Sequence, residues 1–297
     1  MRYQRILLPF VATAMLAAIV GCNEKAPPQT AILGPALDPA RAEILGIKLR
    51  TPSSQAMAAI EEAARKSDAG VTQQRLVDVS GQPYVWLFGY GFREFPLRSD
   101  STVAILSPPS ADNGVLAVSR KLDFENGLSK GKPKPSSTQL LNALIEKFGM
   151  PTLSSLGVLT REEFAQRVEA ESSSSVFFWI AENASKIEPR CQYSTSAIDD
   201  FDKLNRQADL EEVFKDFYIT SANNASLWNC GVVIRSVIRT SAIRDSAAEL
   251  TISMVDLLAA DDAYSKVKRL WKAKQDAEEE RSRMERESRP KAPVPRL

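Results

Sequence analysis

The spacing of apolar and polar positions changes several times along this chain, and each change marks a part. Residues 23–40 carry Pro27, Pro28, Pro35 and Pro39 without periodicity, which predicts an extended tether. The stretch "AEILGIKL" at 42–49 predicts a short strand or turn. From Ser53 to about Lys66 a helix follows Pro52, with Ala56, Ile60 and Ala63 on one side. Between Val71 and Phe124 the period falls to two. The runs "TQQRLVDVS", "PYVWLFGYGF", "TVAILS" and "GVLAVSRKLDF", separated by Gly, Pro, Ser and Asn clusters, predict four antiparallel strands. In the last run Leu116, Val118, Leu122 and Phe124 fall on one face and Ser119, Lys121 and Asp123 on the other, as a sheet with one wet side requires.

After the linker "GLSKGKPKP" the helical spacing returns. Leu141, Leu144, Ile145 and Phe148 sit at i, i+3, i+4 and i+7, and Gly149-Met150-Pro151 ends the helix. Its opening, "PSSTQLLNALIEKF" at 135–148, echoes "PSSQAMAAIEEA" at 52–63 if Thr138 is an insertion, so helix, strands, helix, strands reads as a candidate duplicated unit. Farther on, "SSSSVFFWIAE" at 172–182 predicts a buried strand after a short helix around 160–170, and 204–218 predicts another helix. In "LWNCGVVIRSVIRTS", Trp228, Cys230, Val232, Ile234 and Ile238 share one face while Asn229, Arg235 and Arg239 share the other. The run 248–258 alternates too, with Leu250, Ile252 and Met254 inward, and should pair with it through a loop at 241–247. After Ala260 comes a long helix whose apolar contacts end at Trp271. From Lys272 to Arg289 it carries six acids and six bases, with Glu279/Arg283 and Glu285/Arg289 spaced for i, i+4 support. This predicts a solvated helical tail or, as the sharper alternative, an arm that docks on a partner.

The fold class expected is therefore α+β, with antiparallel sheets, packed helices and a long charged C-terminal helix. The parts are a signal at 1–21, a tether at 22–40, α+β units at 41–151 and 152–259, and the charged helix with its proline-rich tail at 260–297.

The N-terminus sets the compartment. Arg2 and Arg5 precede an apolar core from Ile6 to Val20 and the small residue Gly21, the layout of an export signal. Fifteen helical residues span about 22 Å, short of a hydrocarbon core of about 30 Å. The sequence Ile19-Val20-Gly21-Cys22 resembles the lipobox of bacterial prolipoproteins. That resemblance implies acylation of Cys22 and a mature chain starting there, held to membrane lipid. Asn23, in place of aspartate, implies the periplasmic face of the outer membrane rather than the inner membrane. The segment "LGIKLRTPSSQAMAAI" also resembles the opening of small periplasmic lipoproteins of the BamE/SmpA group, over about 70 residues. Arg50-Thr51 stands where that group has glycine-methionine. More broadly, the chain resembles Gram-negative bacterial lipoproteins.

Cysteine use follows from that compartment. With Cys22 acylated, Cys191 and Cys230 remain, and an isolated pair in an oxidising space favours one disulfide. Closing a loop of about 40 residues would stabilise the fold by roughly 4 kcal/mol. The rival, a two-thiol metal site, wants further Cys or His ligands, and the chain has no histidine. Charge is nearly balanced. Loss of Arg2 and Arg5 with the signal lowers the 38 basic residues to 36 against 37 acidic, which offers no electrostatic footprint for nucleic acid.

The lack of histidine also removes His-dependent triads and dyads. Ser129-Lys130-Gly131-Lys132 has the serine-x-x-lysine form, but Gly131 and Pro133 oppose the helix that would bring its ends together. The acid pairs Asp199-Asp200, Asp261-Asp262, Glu61-Glu62 and Glu162-Glu163 are sequence neighbours, whose side chains diverge. No cofactor and no catalytic motif is recognised. Tyr84, Trp86, Phe88, Tyr90 and Phe92 alternate along one strand with Gly89 and Gly91 opposite. They read either as core or as an exposed aromatic binding face that includes Tyr84, Trp86 and Tyr90, with the Tyr84 and Tyr90 hydroxyls at its rim. The expectation is a lipid-anchored binding or envelope-assembly protein with a protein partner. The alternatives are a cell-wall-acting hydrolase or transferase, or an inhibitor of a periplasmic enzyme. Alkylation of the denatured, unreduced protein should leave Cys191 and Cys230 unmodified, and labelling of both would rule out the bridge.

Overall fold

The computed structural model describes residues 37–91, 100–124, 134–156, 163, 166–167, 174–180, 231–241 and 246–288. Cys22, Cys191, Cys230, Phe92, the signal, most of the tether, Ser129–Lys132 and the helix expected at 204–218 lie outside these residues. The described elements are β1 (Glu43–Ile44), β2 (Ile47–Lys48), α1 (Ser53–Lys66), β3 (Val71–Val77), β4 (Pro83–Tyr90), β5 (Asp100–Leu106) and β6 (Val115–Asp123). There follow α2 (Ser137–Phe148), β7 (Leu153–Ser154), β8 (Ser174–Ile180), β9 (Val232–Thr240), β10 (Ala247–Asp256) and α3 (Leu257–Ser288).

Eight strands form one antiparallel sheet in the order β3-β4-β5-β6-β10-β9-β8-β7, so the chain is α+β. Each half is a helix followed by a four-strand meander, and the two meanders meet through their last strands, β6 and β10. The duplicated pattern seen in the sequence is thus present in the topology. α2, which precedes the boundary expected at 151, packs on β9 and β10. Trp179 of β8 also donates from Nε1 to the Gly149 carbonyl at 2.8 Å and meets the Phe148 ring at 5.5 Å.

Both helices follow from their first residues and their stripes. α1 begins directly after Pro52 and buries Ala56, Ile60 and Ala64, one residue per turn. α2 carries a capping box: Gln139 N–H donates to Ser136 Oγ at 3.0 Å, and Ser136 N–H donates to Gln139 Oε1 at 2.9 Å. Its stripe of Leu141, Leu144, Ile145 and Phe148 is buried, and Gly149 at φ +87° ends it. These stripes and those of the strands build one core, which includes Phe88, Tyr90, Val118, Trp179, Ile234 and Met254. The opposite sheet face holds a second core, in which Leu257, Ala260, Ala263 and Val267 of α3 pack on Trp86, Leu87, Ile105, Ala117 and Val255. The first turns of α3 therefore cover part of the face expected to be wet, which farther along β6 carries Lys121 and Asp123.

Of three bulges among the described residues of the sheet, one lies between Ala247 and Glu249 of β10, and the other two decide which side chains of β4 and β6 reach which core. Gln74 pairs with Leu87 and Arg75 with Val85, so Trp86 is the extra residue on β4. The alternation flips there. Tyr84, Trp86 and Leu87 enter the α3 core, whereas Phe88 and Tyr90 enter the α1/α2 core. The single aromatic face expected for this strand is split across the sheet. A second bulge places Leu116 and Ala117 together in the α3 core, which moves Leu116 away from Val118 and Phe124. The hairpin β9–β10 forms as expected, with Ile234 opposite Met254 and Ile238 opposite Leu250.

The start of α3 is tied to the N-terminal turn. Asp256 accepts the Ala259 N–H at 2.8 Å as helix cap and accepts from Arg50 Nε at 2.6 Å. Its side chain is only 3% exposed. Arg50 holds φ +62°, the left-handed region that favours glycine, at the position where the BamE/SmpA resemblance has glycine. Replacing Asp256 with Ala removes a cap and a charge-assisted hydrogen bond, and should lower stability by about 2–4 kcal/mol in urea unfolding. A loss below about 1 kcal/mol would show that α3 is held by its apolar stripe alone.

Candidate functional site

The expected aromatic binding face is not available. Tyr84, Trp86 and Tyr90 are 8%, 1% and 1% exposed. Tyr90 donates to Asp100 Oδ1 at 2.8 Å and accepts from Thr102 Oγ1 at 3.3 Å. Arg120 clamps the same carboxylate from Nε at 3.1 Å and from a terminal nitrogen at 2.7 Å. Burial pushes the Tyr90 hydroxyl up to about 12, with the Asp100 charge adding to it, so it stays protonated. Burial, and then Asp78, raise Tyr84 as well. For Arg120 burial works against the charged form, but the bond to Asp100 and its charge prevail and the guanidinium is held above its ordinary value. These side chains stabilise the sheet interior. Cys22, expected to be acylated, and Cys191 and Cys230, expected to pair, lie outside the described residues.

What the fold does bring together is a mixed-charge cluster on the α3 face, beyond the reach of the α3 apolar turns. The β6–β10 register sets Glu249 opposite Asp123, Thr251 opposite Lys121 and Ser253 opposite Ser119, while β9 adds Arg239 opposite Glu249 and Arg235 opposite Ser253. Lys121 Nζ reaches Glu249 Oε2 at 2.5 Å, and Arg239 stands 3.8 Å from that oxygen. Thr251 Oγ1 donates to Glu249 Oε1 at 3.3 Å. Ser119 and Ser253 share a hydrogen bond of 2.8 Å across the seam. Two carboxylates directly opposite on a ladder repel, and Lys121 beside them offsets that repulsion. Burial lowers the Arg235 guanidinium below its ordinary value.

Most of this cluster is buried: the Lys121 and Glu249 side chains are 14% and 15% exposed, so its bonds tie β6, β10 and β9 together. The carboxylate of Glu249 is engaged by cations and a hydroxyl, and the ammonium of Lys121 is held in an ion pair. Among the described residues no group of three Cys, Asp or Glu is placed to hold a metal ion. The sequence revealed the polar phase of each strand, since Ser119, Lys121, Asp123, Arg235 and Arg239 alternate with apolar neighbours. Glu249 and Thr251 went unnoticed, because only the register of β6 on β10 joins them to Lys121.

The second feature is the far half of α3. Tyr264 and Trp271 are half-buried, and from Lys272 to Ser288 every residue is exposed. Seventeen residues extend the helix about 26 Å past its last contact. The Glu280/Arg283 pair at 3.6 Å belongs to the spacing that supports such a helix in water. No known protein family, curated protein or solved structure matches this chain.

A double-mutant cycle on Lys121→Met and Glu249→Gln should give a coupling of about 0.5–3 kcal/mol in denaturant unfolding. Glu249→Gln should be the costlier single change, because Arg239 and Thr251 also face that carboxylate. Additive effects would show that the cluster is no more than adjacent surface charge.

Proposed function

We propose that this chain is a lipid-anchored envelope protein that acts by binding a protein partner, with the α3 arm as its docking element. The observation that carries the reading is the arm itself. From Lys272 onward it contributes nothing to either core, yet its charges are arranged to keep it helical. A helix end of that kind serves contacts outside its own body, and the alternating acids and bases suit a polar, salt-sensitive interface.

The lipobox-like segment ending at Cys22 supports anchoring, and the proline-rich stretch after it gives reach from the lipid surface. The periplasmic face of the outer membrane is the location this reading implies.

Two variants separate anchoring from docking. Cys22→Ser should release the chain from the membrane fraction and abolish incorporation of labelled fatty acid. A chain ending at Trp271 should stay anchored and keep its melting temperature within a few degrees, and it should no longer co-purify the protein that a photo-crosslinker at Gln275 captures from the full chain. Capture that is unchanged when the crosslinker is moved to the body and the arm is removed would refute docking through α3.

A further inference from the structure

The two edges of the sheet are treated differently. At one end β7 is only two residues long, Leu153–Ser154, and a short edge strand gives little template for pairing. At the other end β3 runs seven residues, and among the described residues no strand pairs with its outer side. It carries one charged side chain, Arg75, and no proline. The bulge beside it adds its extra residue to β4, so β3 itself stays regular. Val71 and Val77 at its ends are 48% and 59% exposed, the large apolar side chains that the sheet leaves to solvent.

The sequence of β3 is self-complementary. Turned antiparallel about Gln74, the strand "VTQQRLV" sets Val71 against Val77, Thr72 against Leu76 and Gln73 against Arg75 of a second copy. Each exposed valine then lies over the other on one face. The single cation meets an amide, not its own kind, so no like charges oppose.

We propose that β3 is a homodimerisation edge, at which two copies of this chain pair antiparallel about Gln74 to continue the sheet from one protomer into the next. The pairing forms about six to eight main-chain hydrogen bonds. Its area falls short of the roughly 1,200–2,000 Å² of a standard stable interface, so the dimer is a weak one that depends on local concentration. This inference is independent of the α3 arm.

The full chain in mild detergent tests it, by sedimentation equilibrium and by disulfide trapping. Gln73→Glu places a carboxylate opposite Arg75 twice per dimer and should tighten self-association by about 2- to 30-fold, and Gln73→Arg should weaken it by a similar factor. Gln73 is exposed, so the fold is kept. Gln74→Cys should yield a disulfide-linked homodimer, because the two Cα atoms at the centre come within about 4.5–5.5 Å. Thr72→Cys, which faces Leu76 and not itself, should yield far less. A chain that sediments as a monomer at every concentration, equal trapping at both positions, or Gln74→Cys trapped on a different protein would each overturn the proposal.

Discussion

The ladder between β6 and β10 is the constraint on which this molecule depends. It joins two helix-plus-meander halves into one sheet, and its register decides every cross-sheet neighbour on both faces. Val118 against Met254 and Leu122 against Leu250 feed the core under α1 and α2, while Ala117 against Val255 feeds the core under α3. Because side chains alternate, a slip of one residue would drive Lys121 and Glu249 into the first core and lift Met254 out of it. The apolar pattern thus locks the register, and the register in turn assembles the charged cluster.

The bulges modify that pattern where the sheet must serve two cores of different shape. At Trp86 and Leu116 two successive residues point to the α3 side, which supplies extra apolar surface where α3 lies across the strands. Close approach continues along β4. A Cβ on Gly89 would come within 2.5 Å of the Thr102 carbonyl oxygen, so only glycine lets β4 lie this near β5 there. The bulge at Trp86, by contrast, is what parts Tyr84 and Trp86 from Phe88 and Tyr90.

Local elements were legible in the sequence, and long-range ones were not. The stripe Leu141, Leu144, Ile145, Phe148 and the alternation Leu250, Ile252, Met254 each identify their own buried face, because periodicity is a local property. The repeated Pro-Ser-Ser opening also pointed to the two-part topology. Parity through a bulge cannot be read locally, since nothing in "PYVWLFGYGF" marks Trp86 as the extra residue. Nor can the capping of α3 by Asp256 together with its bond to Arg50, whose partners lie in opposite ends of the chain. The charged cluster falls between these cases: its polar positions were visible strand by strand, and their meeting required the order of strands.

α3 unites two physical regimes in one helix. Up to Val267 its stability comes from burial against the sheet, and past Trp271 it comes from propensity and paired charges alone. The boundary is sharp, so the arm can fray or be remodelled without disturbing the core.

The seam between the halves also bears on how the polypeptide matures. Ser119 and Ser253, bonded across it, lie 134 positions apart. At ordinary translation speeds the ribosome takes on the order of ten seconds to make that stretch. Throughout that interval the first meander has β6 bare along its whole length, a ready target for stray strands from neighbouring nascent molecules. A holdase that shields β6 until β10 arrives would raise the yield of native protein without changing its final free energy.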